Sequence, residues 1–315
     1  MYTTAVAKKM MRLFEYTPLF NTNEPGELSE IFNNDSFLNA TETTKKSIML
    51  KSSEAKYKSE LDYPWDIYFD RELKPMLEGK VALDLGCFTG GRGIAWYDRY
   101  NLKHISGIDV KQVFIDAANQ FASARKVDAE FKLAIGESLP YEDESFDAIL
   151  SFDVFEHVQD LGETLKECHR VLKKGGRLFL VFPSYYQPLE HHLSLVTMTP
   201  FLQLFFSGQT LIKAYNEILD ERGEQAYWYK RSSPDLEPWE KGNTINGTTV
   251  SQFNSLIKEL NWRVVMNVKK PIGSIGRTVS DNKFIHLMSK LFIPLTLVPG
   301  ARELFLHRIT YVLEK

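Results

Sequence analysis

Cysteine is nearly missing from this chain: Cys87 and Cys168 are the only two in 315 residues. Two thiols cannot form a disulfide framework, so stability must come from an apolar core, and a reducing, cytoplasmic setting is expected. An excess of charge of one sign is missing too. The 38 Lys and Arg face 41 Asp and Glu, for a net charge of −3, which argues against a surface built to neutralise many phosphates, so no nucleic-acid partner is expected. Long hydrophobic runs are also missing. The most apolar stretch, FIHLMSKLFIPLTLVPG at 284–300, is interrupted by His286, Lys290 and Pro294. It falls short of the roughly 20 apolar residues that span a bilayer, so no transmembrane segment is expected. It reads first as a buried helix; a lid or a segment in peripheral contact with a membrane surface are the other readings. The first 16 residues carry Lys8, Lys9 and Arg12 without the apolar stretch of a signal peptide. No repeat or low-complexity tract is visible.

What is present is an ordinary globular composition, 43% hydrophobic and 13% aromatic, which excludes a disordered chain. The length suits one large α/β domain with additions, or two small domains. Three textures divide it. Residues 1–79 are polar and irregular, broken by Pro18, Pro25, Pro64 and Pro75, with short helical patterns at 43–59 and 65–76. This region reads as an N-terminal helical cap or lid. Its aromatic cluster, Tyr63 to Phe69, fits either packing onto a neighbouring domain or a flap over a ligand.

From 80 to 183 apolar runs and helical patterns alternate. Strands are expected at 81–85, 104–108, 130–135, 146–152 and 176–182, and helices at 91–100, 111–125 and 160–172. Lys173-Lys174-Gly175-Gly176 supplies the basic last turn and the glycines that end a helix. Strands alternating with helices imply right-handed crossovers and a parallel sheet covered on both faces. Residues 184–315 are mixed. A helix at 249–260 and strands at 261–268 and 306–313 are separated by two long insertions, 185–246 and 269–305. Insertions of that length carry function or helices of their own.

The segment richest in chemistry is Asp84-Leu85-Gly86-Cys87-Phe88-Thr89-Gly90-Gly91-Arg92-Gly93, between the first strand and the first helix of the alternating region. Glycines there permit a tight turn and a close ligand approach. An acid at the strand tip suits a ligand bearing an ammonium group. The second strand ends in Gly107-Ile108-Asp109, and a carboxylate at that tip can accept from both hydroxyls of a ribose. The loop does not match the G-x-G-x-x-G spacing of dinucleotide-binding turns, so a nicotinamide enzyme is disfavoured.

Residues 80–183 resemble the class I S-adenosylmethionine-dependent methyltransferases, in particular the type 11 group. The first motif of that family, acid-x-Gly-x-Gly-x-Gly, is matched by Asp84, Gly86 and Gly90, with Phe88 where the family has its middle glycine. The resemblance implies a Rossmann-like α/β fold with a seven-stranded, mostly parallel sheet and an antiparallel last strand, for which 306–313 is the candidate. It implies S-adenosyl-L-methionine as cofactor. Gly86, Cys87, Phe88 and Gly90 would form the loop against its methionine part, with Asp84 facing the amino group. Asp109 would take the ribose, with Val110 beside the adenine. Gly136-Glu137-Ser138 resembles the family's segment after the third strand, so Glu137 would accept from the adenine amino group and the Ser138 amide would meet a ring nitrogen. Ser151 and Phe152 would offer a backbone carbonyl to the cofactor's amino group.

Past the fourth strand lies Asp153-Val154-Phe155-Glu156-His157. A helix beginning there would place Asp153, Glu156 and His157 on one face. His157 is the candidate general base, because imidazole titrates near neutral pH, with Asp153 beside it. The Glu-His-Val segment also resembles ubiquinone-biosynthesis O-methyltransferases. The set Asp153, Glu156 and His157, with His192 as a fourth ligand, further resembles the metal-binding set of small-RNA 2′-O-methyltransferases and would suit Mg, Mn or Zn. Capping of a helix start by these acids is the plainer alternative. Tyr185, Tyr186, His191 and His192, in the first insertion, are candidate substrate contacts. Apolar runs at 201–206 and 284–298, with Tyr227 to Lys230 and Trp239, favour a sizeable, partly apolar acceptor. The expected activity is O-methylation of a small or medium-sized metabolite, such as a secondary metabolite, a quinone or a lipid-like acceptor. The alternatives are a metal-assisted RNA 2′-O-methyltransferase and a non-catalytic cofactor-binding protein.

Overall fold

The computed structural model describes residues 3–15, 32, 35–63, 65–188, 192–193, 196–222, 245–274, 287 and 289–315. Its strands are β1 Val81–Leu85, β2 His104–Asp109, β3 Ala129–Leu133, β4 Phe146–Phe152, β5 Leu172–Phe182, β6 Arg263–Val268 and β7 Ile309–Glu314. They form one sheet in the order β3-β2-β1-β4-β5-β7-β6. The first five pair in parallel, and β6 pairs antiparallel with β7. Lys315, just past β7, exchanges backbone hydrogen bonds with Gly175 and Gly176 at the start of β5, so β7 runs against β5. This is the expected Rossmann-like α/β sheet. Central β1 and β4 are almost wholly buried, as their mostly apolar sequences require.

Two details differ from the sequence expectation for physical reasons. The helix before β5 stops at Val171, and Leu172 is already extended and paired with Phe146. The ladder then shifts register between Phe146 and Ala148. Lys173 to Gly176 therefore lie within β5 at an irregularity of the ladder rather than capping the helix. The helical pattern at 65–76 is split into Asp66–Phe69 and Lys74–Leu77. Asp70 is left-handed (φ 53°), and Asp66 accepts from the Leu73 amide at 2.8 Å, which fixes the break.

The chain divides into two compact units. The first, the core unit, is 22–181 with 255–268 and 310–315. Here the Glu42–Asp62 helix packs on the helices Gly91–Tyr100 and Gln112–Arg125. Small residues make the approach close: Ser52 and Ser53 are fully buried. A Cβ at Gly91 would lie 2.4 Å from the Ser53 carbonyl oxygen and 2.6 Å from the Tyr57 nitrogen. Those are backbone atoms that cannot step aside, so Gly91→Ala should cost about 1–3 kcal/mol, read as a lower urea midpoint. The aromatics Tyr63 to Phe69 pack into this unit. Trp65 meets Phe152 edge-on at 4.3 Å, and Phe69 meets Phe152 and Phe179, each at 6.0 Å.

The second unit is 1–21 with 182–254 and 269–309. Its core joins Ala7 and Met11 of the Thr4–Met11 helix to Leu211, Ala214, Tyr215 and Ile218 of the Gly208–Arg222 helix. Lys8 pairs with Glu217 (3.0 Å) and Glu221, and Arg12 pairs with Glu221. The Thr197 hydroxyl donates to the Met11 carbonyl at 2.6 Å.

Both cysteines are fully buried, and burial pushes both thiols up. A thiol held protonated is a poor nucleophile. Neither should react with a thiol reagent in the native protein, and both should do so in denaturant. No helix among the described residues is long and apolar enough to cross a membrane.

Candidate functional site

The carboxyl ends of β1, β2 and β4 lie side by side, the edge where open α/β sheets bind ligands. Asp84 is at the tip of β1, fully buried. Burial raises its pKa, opposed by the positive charge of Arg92. The Arg92 guanidinium, from the first turn of the 91–100 helix, donates to Asp84 Oδ1 (2.7 Å), to the Gly86 carbonyl (2.7 Å) and to the Phe152 carbonyl (2.9 Å). Asp84 Oδ2 and Arg92 Nε have no hydrogen-bond partner among the described residues. One buried cation thus fastens the tip of β1 to the tip of β4. It sits on two acceptors, Asp84 and the Phe152 carbonyl, that the sequence reading reserved for the cofactor's amino group. Arg92 was missed because its three acceptors lie on separate elements. Its signal is a cation two residues past Gly90, at the start of a helix that buries the rest of its turn.

Gly86 turns the chain with φ 77°, and a Cβ there would lie 2.4 Å from Val154 Cγ2. Gly90 caps the following helix. Phe88, standing where the family has its middle glycine, is itself left-handed (φ 50°). Phe114 holds its ring at 4.4 Å, and Phe32 lies at 6.5 Å. The loop therefore keeps a glycine-like conformation without the glycine, supported by aromatic packing. Cys87 is different. Its side chain is fully buried in a cluster with Ile115, Ala118 and Phe131, and its amide donates to the Ile108 carbonyl at 2.8 Å. Its thiol is core, not ligand surface.

Asp109, at the tip of β2, accepts from the Phe88 amide (3.0 Å, Oδ2) and the Lys111 amide (3.2 Å, Oδ1). Burial still pushes its pKa up despite these donors. A carboxylate with two oxygens has room for more donors, so a diol is a good match. Val110 is 64% exposed and Ile135, just past β3, is 50% exposed, an aliphatic setting for a flat heterocycle. At this end Glu137 Oε1 already accepts from the amides of Gln159 (2.7 Å) and Asp160 (3.0 Å). The Ser138 amide is spent on the Ile135 carbonyl at 3.2 Å. Ser151 and Phe152 are buried.

Residues 153–157 form no helix. Asp153 follows β4 with φ 55°, and the His157 amide closes a turn on the Val154 carbonyl at 2.8 Å. The shared helical face expected for Asp153, Glu156 and His157 does not form. Among the described residues no set of three donors that includes Asp153 comes within 4.8 Å. The turn does place the His157 ring, partly exposed, with Nε2 3.8 Å from Oε1 of buried Glu156. The four-residue metal set thus loses Asp153, and no step below is routed through a metal.

In the second unit the Tyr185 and Tyr186 rings meet at 4.9 Å, and the Tyr185 amide donates to the Thr248 carbonyl at 2.9 Å. His192 is in this unit, left-handed at φ 55°. Residues His191, Tyr227 to Lys230 and Trp239 lie outside the described residues. Of the 201–206 run, Leu202 and Phe206 are core, while Phe201, Leu204 and Phe205 are exposed.

A family model described as a methyltransferase domain of type 11 matches residues 83–180. Phosphoethanolamine N-methyltransferase of Triticum aestivum is 33% identical over 109 residues, 35% of this chain and 21% of that protein. The 27-O-demethylrifamycin SV methyltransferase of Amycolatopsis mediterranei is 32% identical over 116 residues, covering 35% and 42%. The ubiquinone biosynthesis O-methyltransferase of Caulobacter vibrioides is 34% identical over 116 residues, covering 36% and 45%. The chain spans less than half the length of each of these relatives. The matched segment runs from within β1 through the Asp84–Gly93 loop, Asp109 and the turn carrying His157, and it is a class I S-adenosylmethionine-dependent methyltransferase domain.

Proposed function

We propose that the whole chain is an S-adenosylmethionine-dependent methyltransferase that methylates a hydroxyl of a small or medium-sized, partly apolar acceptor. The observation that carries this is the pair of carboxylates, fully buried Asp84 and half-buried Asp109, at adjoining strand tips on either side of a glycine turn. Asp109 suits the ribose of the cofactor, Val110 its adenine, and the turn from Gly86 to Gly90 its methionine part. Asp84 with Arg92 fixes the bottom of that turn. The sulfonium supplies an activated methyl group, so the protein mainly aligns the acceptor and excludes water.

His157 takes the hydroxyl proton as the acceptor oxygen forms its bond to the methyl carbon. Buried Glu156, beside the ring, stabilises the imidazolium that results. The relatives named for O-methylation favour a hydroxyl. The wheat enzyme, named for N-methylation, supports an amine acceptor as the second reading. An amine presents a lone pair of its own and needs little base.

The cofactor assignment is tested by titration calorimetry with S-adenosylhomocysteine. Binding is expected for the native chain, and Asp109→Ala should weaken it at least about tenfold, since two hydroxyls lose a charged acceptor. Equal affinity in the two proteins would remove Asp109 from the ribose.

A further inference from the structure

Residues 287–300 are built inside out. Within the second unit Ser289 and Thr296 are buried, at 2% and 0% exposure, whereas Leu287, Leu291 and Leu297 are exposed at 60–65%. Ile293, Leu295 and Val298 are exposed as well. The sequence favoured a buried helix over 284–300. In the described part Leu287 and Ser289 are helical and the rest makes two short 3-10 turns, Lys290–Phe292 and Pro294–Leu297, with Ser289 and Thr296 inward. Single exposed leucines are ordinary, but six aliphatic residues within twelve positions form a patch that marks an interaction site.

The patch is held firmly from below. Phe292 stacks on Phe305 at 5.4 Å, and the Thr296 hydroxyl donates to the Ile293 carbonyl at 2.7 Å. The Ile272 amide donates to the Phe305 carbonyl at 2.8 Å, and Glu303 accepts from the Val250 amide at 3.0 Å. Outward-facing leucines are therefore fixed features of a supported element.

We propose that this element docks the protein on an anionic lipid bilayer, inserting its leucines to the depth of the headgroup–acyl boundary. Three observations choose lipid over a protein partner. The exposed apolar side chains are all aliphatic, whereas protein interfaces rely on Tyr, Trp and Arg anchors. From Leu287 to Arg302 the sequence holds Lys290 and Arg302 and no acid, which complements an anionic surface. The turns also close their own backbone bonds. The amides of Ile293, Thr296, Val298 and Ala301 donate to carbonyls three residues earlier, which lessens the cost of taking the segment into an apolar medium. With no helix long enough to cross among the described residues, the segment rests in the interface.

The experiment is sedimentation of the full chain with vesicles of phosphatidylcholine alone, or with about 30% phosphatidylglycerol to supply the anionic surface. The native protein should pellet with the anionic vesicles. Leu291→Glu/Leu297→Glu should lower the partition coefficient about tenfold or more, because two side chains no longer leave water. Lys290→Glu should lower it several-fold on anionic vesicles only. The double variant should keep its melting temperature and its affinity for S-adenosylhomocysteine, since neither leucine is core. Native protein left in the supernatant, or a double variant that pellets equally, overturns the proposal. So does a native dimer in velocity sedimentation that the double variant dissociates, with no vesicle binding, because a second copy would then cover the patch. Vesicle binding is independent of the methyl-transfer reading, so either can fail alone.

Discussion

Replacing His157 with alanine should lower turnover on a hydroxyl acceptor by about 10²–10⁴-fold, the range for loss of a positioned general base. Affinity for S-adenosylhomocysteine should stay within about twofold, because a base acting on the acceptor does not hold the cofactor. The separation of the two readouts is the point of the test. The His157 ring is partly exposed beside buried Glu156, 3.8 Å away, so truncating it should leave the fold in place, which a thermal melt checks. With an amine acceptor the loss of rate should be small, because the nucleophile is the neutral amine itself. A loss of cofactor affinity equal to the loss of rate would make His157 a binding residue and remove the base from the mechanism.

Much of the core was legible in the sequence, for a physical reason. β1 and β4 coincide with their expected limits, as does the 91–100 helix. Each is a buried, mostly apolar strand, or a helix launched by glycines. The acids at the strand tips were legible because the glycine turn fixes where each strand ends. What was hidden depends on contacts that no local pattern carries. The helix expected at 43–59 is there as 42–62, but how it docks was hidden, because it packs with buried serines against Gly91. A helix beginning at Asp153 was the condition for Asp153, Glu156 and His157 to share a face, and it is not met. A left-handed residue directly after β4 redirects the chain there. The Ser138 amide fitted the family's adenine contact on sequence, but a bridge to Ile135 uses it. Arg92 was invisible as a site residue because its three acceptors come from β1, the glycine turn and β4. The 287–300 segment misled because hydrophobicity alone does not say which side faces the core.

Replacing Arg92 with methionine should destabilise the core unit by about 3–5 kcal/mol at neutral pH, the usual effect of removing one partner from a buried ion pair. Asp84 would keep its place, fully buried, without its cation. Three acceptors would lose their donor at once. Arg92→Lys should rescue little, because a single ammonium cannot span what a planar guanidinium spans. Asp84→Asn/Arg92→Met should recover a large part, because the charge that needed the partner is gone.

The pH dependence follows from the Asp84 carboxyl, whose pKa burial raises and Arg92 opposes. Without Arg92 the folded-state pKa rises further above the unfolded value of about 4. The folded variant then holds a proton that the unfolded chain releases, so its stability falls as pH rises from that unfolded value through the folded one. The gap between native protein and Arg92→Met should therefore be smaller at pH 5 than at pH 8 in urea melts. A gap that does not change with pH would mean that Arg92 acts through packing on Trp96, 5.0 Å from its guanidinium, and not through Asp84. Because the same guanidinium joins the Gly86 turn to the Phe152 carbonyl, Arg92→Lys should also weaken S-adenosylhomocysteine binding. That effect should be absent for 5′-methylthioadenosine, which lacks the amino-acid end that this turn is proposed to hold.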